Sequence, residues 1–278
     1  MMDIYERHEI KSNYVPREDE YRNDRGILSC KDCNTPREHL VHRPHGDWRY
    51  VRVLCTCQRE KQDREAEAKK ARELRDAIAR NRNIGLTEPL MREQTFENDK
   101  GYNPREMAIA RNYVAQWEQM KKESKGLLLW GDVGTGKSYI ASCIANALLD
   151  KGVSVLDTRL SILLDQLGAL HFGDKNGFIS SLNRYELLIL DDLGIERDSE
   201  YVQEQCFNII DSRYLSGLPI IITTNFLLQD MKTEVNLGKR RLFDRILERN
   251  VPVCVNNLNI RTLLSQETMA TAREALLA

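Results

Sequence analysis

The chain has 278 residues, of which 41% are apolar and 30% charged, with a formal net charge of -1. This length suggests about two domains with a real core in at least one, and the charge balance excludes a global pull on nucleic acid, leaving only local basic patches. No segment approaches the roughly 18 consecutive apolar residues of a membrane span, and the polar start MMDIYERHEIK lacks the apolar stretch of a signal peptide; a cytoplasmic protein without a membrane partner is expected.

Residues 1–57 hold four of the five histidines, four of the seven cysteines, ten basic and ten acidic residues, and few apolar positions. Such a segment cannot build much of a core. Cys30-Lys-Asp-Cys33 and Cys55-Thr-Cys57 form two tight pairs separated by 21 residues. In a reducing compartment such cysteines are free thiols or metal ligands, and two pairs suit a tetrahedral structural zinc site with no open position for chemistry. Structural zinc supplies the ~10 to 16 kcal/mol that folding of so poor a module calls for. His39, His42 and His45 lie between the pairs and are alternative ligands for one cysteine.

Residues 58–82 carry nine basic and six acidic residues without glycine or proline, which predicts a solvated helix linking two modules, ended by Gly85 and Pro89. Helical spacing resumes from Pro104 to Lys122. From Gly126 onward, the short apolar runs GLLLW, VSVLD, LLILDD and PIIITTN alternate with amphipathic helices, the pattern of an α/β fold with a doubly wound parallel sheet. Cys143, Cys206 and Cys254 sit among apolar neighbours and are expected in the core. The predicted boundaries are 1–57, 58–85, 86–261 and a short helical tail at 262–278.

Gly131-Asp132-Val133-Gly134-Thr135-Gly136-Lys137-Ser138 follows an apolar strand and opens a helix, the context that a phosphate-binding loop requires. Backbone N–H groups of Gly134 through Ser138 are expected to cradle the phosphates, with Tyr139 next to them. Lys137 would neutralise the β and γ oxygens, and the Ser138 hydroxyl would hold magnesium. LLILDDLG ends a buried strand in two carboxylates. Asp191 is placed for the magnesium shell and Asp192 for the attacking water. Asn225 ends the next strand, on the side where parallel sheets bind ligands, and its amide is suited to hold that water. In KRRLFDRILER, residues 239–249, Arg241, Arg245 and Arg249 are four apart on one helical face. They form either a solvated basic face paired with Asp244 and Glu248, or an arginine finger for a neighbour's ATP site.

The order of TFEN, GDVGTGKSYIASCIANAL, LLILDDLG, IIITTN and RRLFDRI resembles the AAA+ ATPases of the DnaC/DnaI type, bacterial and phage helicase loaders with IstB transposition helpers as relatives. The resemblance covers about residues 86–261. It implies a P-loop ATPase that uses ATP and magnesium to engage a hexameric replicative helicase and place it on single-stranded DNA. It also implies that Arg245 is an arginine finger acting in trans between self-associated copies, with Arg241 in support, that Arg261 senses the nucleotide, and that the zinc module binds the helicase. Many such ATPases carry Glu where this chain has Asp192, one methylene shorter, so slow, partner-stimulated hydrolysis is expected. Ser161 to Leu182 falls where loaders carry a segment touching single-stranded DNA. It contains one lysine and no arginine, leaving backbone amides or stacking on Phe172 and Phe178. The alternatives are a transposition helper acting on duplex DNA, an initiator-type ATPase, and a non-hydrolysing adaptor, the last opposed by intact Asp191, Asp192 and Asn225.

Overall fold

The structure, a computed structural model, describes residues 11–44, 46, 48–171, 174–194 and 200–277. It divides into two compact units, Met1–Arg75 and Asp76–Ala278.

In the first unit, β1 (Glu20–Arg22) pairs antiparallel with β2 (Leu28–Cys30), and β3 (Glu38–His42) with β4 (Trp48–Arg52). Two-stranded ribbons are marginal by themselves, and the buried apolar side chains described here are few: Leu28, Cys30 and Cys55. Ion pairs occupy the place of a larger core. The carboxylates of Glu20 and Glu38 are wholly buried; Glu20 meets Arg52 at 2.9 Å and Arg37 at 3.6 Å, and Glu38 meets Arg22 at 3.3 Å. Glu38 also accepts the N–H of Leu28 at 2.7 Å. Buried charges are tolerated when paired and hydrogen-bonded in this way. Helix α1 (Thr56–Gly85) then begins within the second cysteine pair and is exposed over most of its length, as its alternation of Lys, Arg, Glu and Ala dictates.

In the second unit the end of α1 and a 3-10 turn at Pro89–Glu93 lead to α2 (Pro104–Ala115) and α3 (Trp117–Lys122). A single helix was expected here, but the chain breaks at Gln116 and restarts. The restart buries Trp117, edge-on to the ring of Tyr113 with centroids 6.2 Å apart. There follow β5 (Gly126–Trp130), α4 (Lys137–Asp150), β6 (Val155–Arg159), α5 (Leu160–Ala169), α6 (Lys175–Ser181), β7 (Leu187–Leu193), α7 (Glu200–Leu215), β8 (Ile220–Thr224), α8 (Leu228–Thr233), α9 (Leu237–Arg249), β9 (Asn250–Cys254) and α10 (Ile260–Leu277). The five strands form one parallel sheet in the order β6-β7-β8-β5-β9.

Strand alternation builds two cores, one on each face. Leu127, Leu129, Leu187, Ile189 and Ile221 pack with α2 and α4, whereas Leu128, Leu188, Leu190, Ile220 and Ile222 pack with α5, α7 and α9. Four apolar runs predicted four strands, and β9 is an addition. Its sequence NVPVC contains Pro252 and is half exposed, which an edge position allows because no outer neighbour needs the missing N–H. The same position corrects the expectation for Cys254: Cys143 and Cys206 are buried, but Cys254, at the end of the edge strand, is exposed.

Candidate functional site

The glycine-rich loop joins β5, an inner strand between β8 and β9, to α4. Gly134 has φ 80° and Gly136 has φ 99°, the left-handed region in which a side chain is strained. Space is also lacking: a Cβ on Gly134 would lie 2.5 Å from Asn259 Oδ1, and one on Gly136 2.9 Å from Asn103 Nδ2. Inside the loop, Thr135 Oγ1 donates to the carbonyl of Asp132 at 2.9 Å. Lys137 is buried, and its ammonium donates to the carbonyls of Gly131 at 2.9 Å and Asp132 at 2.7 Å. Burial lowers the Lys137 pKa, while Asp192, Asp191 and Asp132 pull it upward. Ser138 is half-buried at the start of α4, Val133 is exposed at the tip, and Tyr139 donates its hydroxyl to the carbonyl of Thr95 at 3.1 Å.

At the end of β7 the pairing register with β8 shifts between Leu190 and Leu193, and Asp192 takes φ 62°. This bulge re-aims the two carboxylates. Asp191 is buried, and its Oδ1 accepts from Thr223 Oγ1 at 2.6 Å. The same hydroxyl oxygen accepts the N–H of Asp192 at 2.8 Å. Burial raises the pKa of half-buried Asp192, and so does Asp191, against the opposing charges of Arg159, Lys137 and Arg261. Asn225 follows β8 directly and is exposed.

Arg261, in the first turn of α10, donates its backbone N–H to the carbonyl of Gly134 at 3.3 Å, and its charge acts on both Lys137 and Asp192. The structure therefore brings together Lys137, Asp191, Asp192 and Arg261. Arg241 and Arg245 lie on α9. Arg241 is exposed, and Arg245 contacts Asp211 and Tyr214 of α7.

A set of asparagines holds the loop from outside and was not anticipated. Buried Asn103 donates to the carbonyl of Thr135 at 2.8 Å. Asn257 donates to Asn103 Oδ1 at 3.1 Å and to Glu106 at 3.3 Å, and Asn256 accepts the N–H of Asp132 at 3.2 Å. The signal was the run NNLN just before Arg261, which by composition reads only as a turn.

In the first unit the thiol sulfurs of Cys30, Cys33, Cys55 and Cys57 all lie within 4.8 Å of one another, with Cys30 and Cys57 at 3.7 Å and Cys55 and Cys57 at 3.2 Å. Four sulfurs about 2.3 Å from a central zinc would be about 3.8 Å apart, so the donor set fits that ion. Asn34, at φ 55°, turns the chain after Cys33, and the Thr35 hydroxyl lies 3.0 Å from Cys33 Sγ. That hydroxyl holds the Cys33 thiol down to about 5, and the Arg37 guanidinium, 3.6 Å from Cys30 Sγ, lowers Cys30. Among the described residues no histidine joins the cluster. His39 and His42 are exposed on β3, and His45 lies outside the described residues.

Of the segment from Ser161 to Leu182, α5 buries Leu163, Leu164 and Leu167, and Phe178 packs against the core. Lys175 donates to the Tyr201 hydroxyl at 3.0 Å, and Phe172 lies outside the described residues. Among the described residues no helix is long and apolar enough to cross a membrane.

The chain is 28% identical over 167 residues to the replicative helicase loader DnaC of Escherichia coli, a match covering 57% of this chain and 64% of DnaC. The match thus spans a little under two thirds of that relative's length. The crystal structure of DnaI is similar with a TM-score of 0.50 at 27% identity, over 61% of this chain and 95% of that one. AMPPCP-bound DnaA from Aquifex aeolicus is similar with a TM-score of 0.50 at 21% identity, over 66% of this chain and 55% of that one, a likeness of fold. Residues 58–262 match the IstB-like ATP binding protein family, and the chain belongs to that family.

Proposed function

We propose that this chain is an ATPase that loads a hexameric replicative helicase onto single-stranded DNA, and that residues 1–57 form a zinc-stabilised module that holds the helicase. The observation that carries the reading is the meeting of Lys137, Asp191, Asp192 and Arg261 at the carboxyl ends of β5 and β7, electrostatically coupled, in a chain similar to DnaC and DnaI. The amides of Gly134 through Ser138 bind the triphosphate, and Lys137 exchanges its two carbonyl partners for phosphate oxygens. Ser138 and Asp191 are the residues that would hold magnesium, which would supply charge neutralisation at the phosphates. Asp192 and Asn225 orient a water for in-line attack on the γ-phosphorus, and the bond to the bridging oxygen breaks to release ADP. The raised pKa of Asp192 suits a group that accepts a proton from that water. Arg261 reads the γ-phosphate within the chain. Arg245, supported by Arg241, reaches the γ-phosphate of a neighbouring subunit, so that nucleotide state and subunit contact are coupled.

The test is ATP turnover by full-length protein with helicase and single-stranded DNA. Lys137→Ala and Arg245→Ala are each expected to lower turnover by roughly 100-fold or more; normal turnover in both variants overturns the reading. The family description favours one second reading, an IstB-like transposition helper. Zinc content and capture of a purified replicative helicase separate the two: a loader retains the helicase and loses it with chelator, whereas a transposition helper captures none.

A further inference from the structure

The guanidinium of Arg245 is held on two sides by α7. Its Nε donates to Asp211 Oδ1 at 3.1 Å, and its Cζ lies 4.1 Å from the centroid of the Tyr214 ring. Asp211 and Tyr214 are three residues apart on one helix and so share a face. Tyr214 is itself fixed: its hydroxyl donates to Glu248 at 2.8 Å, and Arg249 Cζ lies 4.6 Å from the same ring.

A guanidinium carries five N–H donors in a planar fork. The Nε–H is used by Asp211 and a face of the plane by Tyr214. The four N–H donors on the terminal nitrogens have no hydrogen-bond partner among the described residues, and the side chain is 36% exposed. It borders an open groove of about 340 Å³ lined also by Phe207, Arg241, Asp244 and Glu248. A free arginine on a helix surface would lose most of its rotamer entropy on docking to a phosphate. Arg245 has lost much of that freedom already, with the half of the fork suited to phosphate left open.

We infer that Asp211 and Tyr214 are positioning residues for this guanidinium, presenting its terminal nitrogens to a nucleoside triphosphate bound by a second copy of the chain. The inference rests on the trans role of Arg245 proposed above. Neither residue touches nucleotide; both act through Arg245.

Mixing full-length variants separates the two ideas. A Lys137→Ala chain turns over no ATP but keeps Arg245, so it serves as donor. An Arg245→Ala chain binds ATP but lacks the guanidinium, so it serves as acceptor. With Mg-ATP, helicase and single-stranded DNA, the mixture is expected to regain turnover that neither chain shows alone. Adding Asp211→Asn or Tyr214→Leu to the donor is expected to cut the regained turnover roughly tenfold, the effect of misplacing a phosphate-contacting group. Tyr214→Phe, which keeps the ring, retains most of it. Asp211→Asn placed in the acceptor leaves the regained turnover intact, which a variant that merely folds badly would not do. Without nucleotide, the Tm losses of Asp211→Asn and Arg245→Gln are expected to be non-additive in a double-mutant cycle. Equal turnover from Asp211→Asn donors, an equal loss in both roles, or additive Tm losses overturn the inference while leaving the trans role standing. A mixture of the two single variants that regains no turnover overturns the trans role and this inference together.

Discussion

The hydroxyl of Thr223 donates to the carboxylate of Asp191 at 2.6 Å. Thr223 is fully buried on β8 and at the same time accepts the N–H of Asp192. One side chain thus fixes both acids of the strand-end pair. It does so where the pairing of β7 with β8 leaves its regular register.

Thr223→Val keeps the shape and removes the hydroxyl, leaving a buried carboxylate oxygen and an amide without their partner. A loss of about 1–3 kcal/mol in stability is expected, together with a fall in ATP turnover. Thermal unfolding and steady-state phosphate release check it. Thr223→Ser should restore turnover, since the hydroxyl returns.

The asparagine grip on the glycine-rich loop predicts an effect on binding. Asn103→Ala removes the donor to Thr135 and frees Asn257 from one of its two acceptors. Nucleotide affinity is expected to fall roughly tenfold through loss of loop pre-organisation, with little change in the helix content of the chain. Titration with a fluorescent nucleotide and far-UV circular dichroism read the two quantities separately.

A buried carboxyl group makes stability depend on pH. Asp157, on β6, is almost fully buried and accepts from Ser142 Oγ at 2.7 Å, while its Oδ1 has no hydrogen-bond partner among the described residues. Burial pushes its pKa up to about 7, with Asp191 and Glu88 adding to the rise and the Ser142 bond opposing it. A folded pKa above the unfolded value means that the native state binds the extra proton. Stability from this group is therefore full below about pH 4 and lost progressively as pH rises to about 7. Asp157→Asn is expected to raise stability at pH 8 by roughly 2–4 kcal/mol relative to its effect at pH 4. Urea unfolding of both proteins at the two pH values measures this.

The cysteine cluster predicts one zinc ion per chain by elemental mass spectrometry. Cys33→Ser or Cys55→Ser is expected to lose it, and with it the structure of the first unit, because a module with so few buried apolar side chains depends on the ~10–16 kcal/mol of metal binding. Nucleotide binding by the second unit should survive chelation. Acid should release the metal, since protons compete for the thiolates.

Much of the second unit was legible because its signals are local. A continuous apolar run predicts a buried parallel strand, and the loop and acid motifs stand at the ends of such runs. What was missed depends on tertiary context. Pro252 made β9 unreadable as a strand until its edge position was known. The asparagines of NNLN look like any turn until Asn103, over 150 residues earlier in the chain, supplies the other half of the contact. In the first unit, evenly matched charges carry no record of which pair, so the burial of Glu20 and Glu38 against Arg37, Arg52 and Arg22 was invisible. Asp157, in the string VLDTR, gave no sign that it would be buried beside Ser142.

The two rims of the parallel sheet are each blocked as sites for a further strand. On the β9 side Pro252 offers no N–H. On the β6 side Leu86 already bridges Asp157, and the Thr87 hydroxyl occupies the Asp157 carbonyl. Neither rim presents an unbroken backbone template to a newcomer. Lengthening the sheet into a ribbon is therefore disfavoured at both rims, and self-association of the kind proposed above would run through side chains, where a change of ligand is able to make or release it.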